Sequence, residues 1–284
     1  MWERDFIQED YYFLIRREMI SIPELDHQKT VEEILEFIRR VIKEAKALGT
    51  VIGLSGGVDS SLTASLCVQA LGKNKVLGIM MPIEFTPQED MEDARDLADK
   101  LGIETRNINI SHICRSFFQA LQVNYKNPGK KIAMGNIIAR IRMIILYYYA
   151  NIQNYLVAGT SDRSEALIGF FTKYGDGGAD FYPCIHLYKT QVRELANYLN
   201  IPRRIAYKPS SPQLYPGHKA TDEIPLDYNE LDPILVDLVD QDLSPKEVSR
   251  KTGISITILE EVLHRFNRSK HKRIFPPTIK DSVD

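Results

Sequence analysis

The stretch that most limits what this chain can fold into is Gly53-Leu54-Ser55-Gly56-Gly57-Val58-Asp59-Ser60-Ser61. Thr50-Val51-Ile52 before it reads as a short apolar strand, and Leu62, Leu66, Ala70 and Leu71 after it recur at helical spacing. A strand, a glycine pair between hydroxyls and then a helix is an arrangement that binds phosphate. The glycines let backbone N–H groups close on an anion without Cβ interference, and the helix N-terminus adds partial positive charge. No Gly-Lys-Ser/Thr follows, so this is not a Walker A loop, and the G-x-G-x-x-G spacing of dinucleotide loops is absent. The plainer alternative is an ordinary strand-turn-helix junction with Asp59 as a solvated first-turn acid. Adjacent glycines are common in turns; the whole hexapeptide in this setting is not, and the phosphate reading is preferred.

The rest of the pattern supports an α/β chain. Thr30 with Glu33 reads as a capping box, followed by Val31, Ile34, Leu35, Ile38, Val41, Ile42 and Ala45 on one helix face that ends at Gly49. A β-like run at 75–81 stops at Pro82. A helix opens at Pro87, buries Ala94, Leu97, Ala98 and Leu101, and closes at Gly102. Residues 104–110 read as a third strand and Leu156-Val157-Ala158 as a fourth. Strands alternating with helices predict a doubly wound parallel sheet with helices on both faces, its ligands beyond the carboxyl ends of the strands. Helices at 227–240, 244–252 and 254–268 make a helical C-terminal part. The last two have the layout of a helix-turn-helix. Few basic or amide residues precede His264 in the second, however, and DNA reading needs them there. The expectation is one domain over residues 1–284, with 1–28 a mixed leader that offers Phe13-Leu14-Ile15 as a short-helix candidate.

Composition excludes several classes. With 44% hydrophobic and 26% charged residues and a formal net charge of −2, nothing calls for a nucleic-acid or membrane partner. The longest apolar run, 143–150, is too short to span a bilayer, and Trp2-Glu3-Arg4-Asp5 is unlike the start of a signal peptide. A cytoplasmic location is the expectation. Cys67, Cys114 and Cys184 form no C-x-x-C and read as small buried residues; the six histidines show no metal-ligand spacing.

Further polar residues stand out. Arg140 and Arg142 lie on a nearly all-apolar helix and point to different faces, where a buried arginine needs an anionic partner. A structural salt bridge would satisfy that as well as a ligand phosphate. Gly159-Thr160-Ser161-Asp162-Arg163-Ser164-Glu165 leaves the fourth strand at its carboxyl end. Glu165 there is either a magnesium ligand partnered with Asp59 or an innocent first-turn carboxylate. The stretch 169–180, Gly-Phe-Phe-Thr-Lys-Tyr-Gly-Asp-Gly-Gly-Ala-Asp, is too particular for a simple turn. Lys189 opens a helix against the dipole, so an anionic ligand is its better explanation. Residues 208–225 are rich in proline, serine and glycine and read as a loop. The tail Ser269-Lys270-His271-Lys272-Arg273 reads equally as a solvated terminus or a phosphate clamp.

These motifs together closely resemble the ammonia-dependent NAD synthetases of the PP-loop ATP pyrophosphatase superfamily, over residues 30 to 277. S-G-G-x-D-S identifies the superfamily; F-T-K-Y-G-D-G-G-A-D is the most specific block, supported by G-N-I-I-A-R-I-R-M, G-T-S-D-R-S-E, L-Y-K-T-Q-V-R-E-L-A and S-K-H-K-R. The resemblance implies a Rossmann-like fold and the conversion of deamido-NAD, ATP and ammonia to NAD, AMP and pyrophosphate through an adenylate. It implies a homodimer with the deamido-NAD site at the interface. It places ATP on Gly53, Leu54, Ser55, Gly56, Gly57, Val58, Asp59, Ser60, Thr160, Lys189 and Ser211, and magnesium on Asp59 and Glu165. It places deamido-NAD on Arg140, Lys173, Asp180, His271 and Lys272, with catalytic roles for Asp59, Asp180 and Lys189. Departures fall at 212–225, where Tyr215-Pro216-Gly217-His218 replaces the family's usual W-x-G-Q, and at Cys184-Ile185-His186.

Rival PP-loop enzymes fit less well. A tRNA thiolase is expected to carry paired cysteines, and GMP synthetase lacks the F-T-K-Y block. The glutamine-dependent NAD synthetases add a nitrilase-like domain for which no room is expected ahead of residue 50, so ammonia is the expected nitrogen donor. A nucleotide-binding regulator without turnover would not need Glu165, Lys173, Asp180 and Lys189 together.

Overall fold

The computed structural model describes residues 22–124 and 128–279, so the leader helix expected near 13–17 lies outside the described residues. Helix α1 (His27–Glu44) begins before the expected Thr30–Glu33 box, which is corrected: Asp26 accepts from the Lys29 N–H at 3.0 Å and caps the helix, leaving Thr30 buried inside it. The chain continues as β1 (Gly49–Gly53), α2 (Val58–Leu71), β2 (Val76–Met80), α3 (Gln88–Leu101) and β3 (Glu104–Asn107). Then follow α4 (Ser111–Ala120), α5 (Lys131–Gln153), β4 (Tyr155–Val157), α6 (Arg163–Ile168), α7 (Lys189–Tyr198) and α8 (Arg203–Ala206). Strand β3 ends at Asn107 rather than at 110. Beyond it the Ile108 N–H donates to the carbonyl of Met80, the last residue of β2, and the Ile110 N–H to that of Pro82 past its end, and Asn109 turns the chain into α4.

All four strands are parallel, in the order β3-β2-β1-β4. Alternation along the strands divides the core. Val51, Leu77, Ile79 and Val157 pack with Cys114, Phe118, Met134, Ile138 and Ile141 of the α4–α5 side. Ile52, Val76 and Met80 pack with Ile34, Ile38, Leu62, Leu66, Ala94 and Leu195 from α1, α2, α3 and α7. This is the expected doubly wound sheet. From β1 the chain moves outward through β2 and β3, then returns to place β4 on the other side of β1. The carboxyl ends of β1 and β4 therefore flank the point where the winding reverses, the crevice such sheets use for ligands.

The described residues form two compact units. The larger, Leu25–Arg163 with Phe171–Glu223, holds the sheet. The smaller joins Ser164–Phe170 to the residues from Ile224 onward. In it, α9 (Tyr228–Leu235) is capped by Asp227 and runs into a π-helical turn, Val236–Asp240. Helix α10 (Pro245–Thr252) has a Ser244–Glu247 capping box and stops at Gly253, before α11 (Ile256–Arg268) and the short α12 (Lys270–Arg273). Ser164 donates to Asp232 at 2.6 Å, and Arg273 donates to the carbonyls of Leu167 and Phe266. No helix among the described residues is long and apolar enough to cross a membrane.

Candidate active site

Strand β1 delivers the glycine loop directly into α2. Ser60 Oγ lies 3.2 Å from Ser55 Oγ and donates to the Gly57 carbonyl at 3.1 Å, and Ser61 Oγ donates to the same carbonyl at 2.8 Å. The hydroxyls thus brace the turn from within. Gly57 stands at the N-cap with no side chain to bond, which leaves the first N–H groups of α2 for an anion. Gly56 adopts φ +79°, and a Cβ there would fall 2.2 Å from the Asp90 carbonyl oxygen, so both conformation and space require glycine.

Lys189, the first residue of α7, lies at the base of this loop. It is wholly buried, and its Nζ sits 2.7 Å from Asp59 Oδ2 and 2.7 Å from Asp162 Oδ2. A buried ammonium is tolerable only when paired. The anions sequence reasoning sought for Lys189 are therefore carboxylates of this same chain. Asp162 is as buried as the lysine, whereas the Asp59 side chain keeps 23% of its surface exposed. Asp59 Oδ1 has no hydrogen-bond partner among the described residues. That oxygen is buried, and an unpartnered buried carboxylate oxygen is one that a hard cation would satisfy. Nearby, burial pushes the Cys184 thiol up to about 12, with Asp59 and Asp162 adding to the effect and a Thr63 hydrogen bond opposing it. All three cysteines are buried, as expected.

A second cluster forms where 171–180 folds onto α5. Asp180 accepts from the Val157 N–H at 2.7 Å and from the Tyr147 hydroxyl at 3.1 Å, while its side chain stays exposed. Burial and the neighbouring Asp180 both push the Tyr147 phenol up. Arg140 donates through Nε and Nη2 to the Lys173 carbonyl, at 3.3 and 3.2 Å. Its guanidinium is exposed, so the burial argument for an anionic partner does not apply to it. Thr172 donates to Asn136 Oδ1 at 2.7 Å, and its N–H bonds Asp176.

Thr160 is half-buried just after β4, and Glu165 is half-buried in the first turn of α6. Ser211 is exposed in the 208–225 loop and donates to the His218 carbonyl. His218 itself is buried, stacked 3.8 Å from Tyr215 and 2.7 Å from Glu223. His271 is exposed, and Lys272 Nζ donates to the Gly169 carbonyl at 2.7 Å. The structure thus joins Asp59 to Lys189 and Arg140 to Lys173. Sequence reasoning did not single out Asp162 or Tyr147. The signal for Asp162 was its place in the turn that leaves β4; Tyr147 had none beyond its position two turns along from Arg140.

A phosphate loop at the reversal point of a parallel sheet, with carboxylates and a buried lysine at its base, defines a nucleotide-binding α/β enzyme. Residues 30–276 match the family model described as NAD synthase. An NH(3)-dependent NAD(+) synthetase from Staphylothermus marinus is 46% identical over 264 residues, which is 92% of this chain and 93% of its own length. Among solved structures, the NMN synthetase of Francisella tularensis superposes with a TM-score of 0.78 at 33% identity, covering 90% of this chain and 99% of that one. The NH3-dependent NAD synthetase of Campylobacter jejuni, solved with nitrate ion, gives 0.76 at 31% identity, with coverage of 90% and 100%. This chain belongs to the NAD synthase family, ATP-using ligases whose reaction is the amidation of deamido-NAD.

Proposed function

We propose that this chain activates the nicotinate carboxylate of deamido-NAD with ATP and transfers it to ammonia, releasing pyrophosphate and then AMP. The observation that carries the reading is the loop of β1 with Asp59 and Lys189 at its base. It is a site built for the phosphates of a nucleotide and for a cation beside them. The N–H groups at Gly56, Gly57 and the start of α2 receive the β and γ phosphates, and Ser55 and Ser60 hold the loop's shape. Thr160, Lys189 and Ser211 complete the ATP contacts, and Arg140, Lys173, His271 and Lys272 those to deamido-NAD. Asp59 and Glu165 are the carboxylates we assign to magnesium, which supplies charge neutralisation on the reacting phosphates. The buried Asp59 Oδ1, without a hydrogen-bond partner among the described residues, is what fits that ion.

Asp180 presents a carboxylate whose two oxygens are oriented by Tyr147 and the Val157 N–H. Besides orienting deamido-NAD, it helps capture ammonium or take its proton, since only neutral ammonia attacks an acyl adenylate. The working form is a cytoplasmic homodimer. Ile113 and Phe117 on α4 with Leu121 at its C-cap, and Ile144, Tyr148 and Ile152 on α5, stand exposed at four-residue intervals and would be covered by a second copy. The test is incubation with ATP, magnesium, ammonium and deamido-NAD, reading NAD, AMP and pyrophosphate. Nicotinic acid mononucleotide serves as a parallel acceptor, because one structural relative is an NMN synthetase. Amidation of the mononucleotide in preference to deamido-NAD, or no pyrophosphate with either, would overturn the assignment.

A further inference from the structure

We propose that Asp162 is a positioning residue for the ATP step: it retains Lys189 beneath the phosphate loop and so leaves Asp59 able to hold the metal. This rests on reading the site as that of an ATP-activating ligase. The argument starts from charge. One buried ammonium lies 2.7 Å from each of two carboxylates, so the cluster of Lys189, Asp59 and Asp162 carries a net negative charge with an unequal geometry. Lys189 and Asp162 have no exposed surface, whereas the Asp59 side chain is 23% exposed. Of the two carboxylates only Asp59 carries exposed surface, and Asp162 is enclosed with the lysine.

The backbone makes the Asp162–Lys189 pairing durable. The Arg163 N–H donates to the Leu187 carbonyl at 2.8 Å, tying the residue after Asp162 to the segment that enters α7. The Arg163 guanidinium lies 5.4 Å over the Tyr188 ring, and Tyr188 is the N-cap of the same helix. The Ala158 N–H donates to the Val51 carbonyl at 3.0 Å, so the segment that leads into the Asp162 turn is registered against β1, the strand that leads through the glycine loop to Asp59 at the start of α2. When Asp59 takes up the metal-bound nucleotide, Lys189 keeps a buried counter-ion and its position. Without the Asp162 charge, the lysine's demand falls on Asp59, and a metal must compete with the ammonium for that carboxylate.

The experiment uses the full chain with Asp162→Asn, which keeps the shape and removes the charge. Two readouts apply: Mn2+ binding to the nucleotide-free protein, followed by the electron paramagnetic resonance of free Mn2+, and the Mg2+ dependence of pyrophosphate release. Both the Mn2+ dissociation constant and the half-saturating Mg2+ concentration are expected to rise by about tenfold, the weight of one charge-assisted hydrogen bond. KM for ATP follows the metal, KM for deamido-NAD does not move, and Asp162→Glu recovers part of the Mn2+ affinity. Thermal unfolding monitors the fold of each variant. Unchanged metal affinity, equal losses in the Asn and Glu variants, or a wild type that binds no Mn2+ would overturn the proposal. So would failure of both variants to fold, whereas failure of Asp162→Asn alone, rescued by Glu, upholds it. A shift in Mn2+ affinity without any amidation by the wild type would sink the assigned reaction and leave the role of Asp162 standing.

Discussion

The two oxygens of Asp59 differ: Oδ2 is held by Lys189 and the buried Oδ1 has no hydrogen-bond partner among the described residues. Replacing Asp59 by alanine removes that oxygen and strips Lys189 of one counter-ion. Pyrophosphate release by Asp59→Ala is expected to fall by roughly 1000-fold, as when a charge-stabilising group is lost from a phosphoryl site; release near the wild-type rate would refute the magnesium assignment. Asp180→Asn can still accept from the Val157 N–H with its amide oxygen and turn its NH2 to the Tyr147 hydroxyl oxygen, reversing that bond, but it cannot accept a proton. Its amidation rate is expected to drop by about 100-fold at unchanged KM for ATP, the usual weight of a positioned base. The thiols give a pH prediction. Burial pushes Cys184 up from an ordinary value of 9.0 to about 12, Cys114 up to about 11, and Cys67 up as well. The folded state therefore keeps protons that the unfolded chain releases above pH 9. The stabilising contribution is complete below pH 9 and is lost as pH rises towards 12. The urea midpoint should fall between pH 8 and 10.5, less steeply in Cys184→Ala, and the native protein should resist thiol reagents at pH 8.

Elements make the two loop glycines unequal. Alanine at Gly56 would meet the Asp90 carbonyl at 2.2 Å and a strained φ of +79°, so Gly56→Ala should lose about 1–3 kcal/mol of stability, read by urea denaturation. At Gly57 the nearest atom to a new Cβ is Ser55 Oγ at 3.4 Å, and φ is −91°. Gly57→Ala should stay within about 0.5 kcal/mol of wild type yet lower ATP binding, since the added methyl stands where phosphate approaches. Much of this level was legible in the sequence. The cores of β1 and β2, the closing glycine of α3 and the strand-to-helix loop follow from periodicity and turn chemistry. The start of α1 was not, because His27, Gln28 and Lys29 are polar and give its first turn no apolar rhythm, while Asp26 and Thr30 both offer caps. The end of β3 was missed because the apolar run continues after the ladder stops. Lys189 was legible as a cation needing an anion. That the anion is Asp162 depends on β4 lying beside β1, a relation that no local pattern encodes.

The exposed apolar residues of α4 and α5 act at the scale of the whole molecule. If the proposed homodimer forms through these faces, a double substitution, Ile144→Asp with Tyr148→Asp, is expected to make it a monomer in light scattering and raise KM for deamido-NAD by about tenfold. A monomeric wild type, or a dimer indifferent to both charges, would sink that interface. The strand order carries a consequence in time. On one flank β1 is zipped to a near neighbour, Thr50 facing Val76. On the other, Thr50 Oγ1 reaches the Leu156 carbonyl, a separation of 106 residues, and Lys189 enters later still. Closing so long a loop is slow. A ribosome that has made only the first half of the chain has therefore emitted the whole phosphate loop without its floor. Nucleotide capture is expected to begin abruptly once α7 emerges, so that the nascent protein stays silent towards ATP through most of its synthesis.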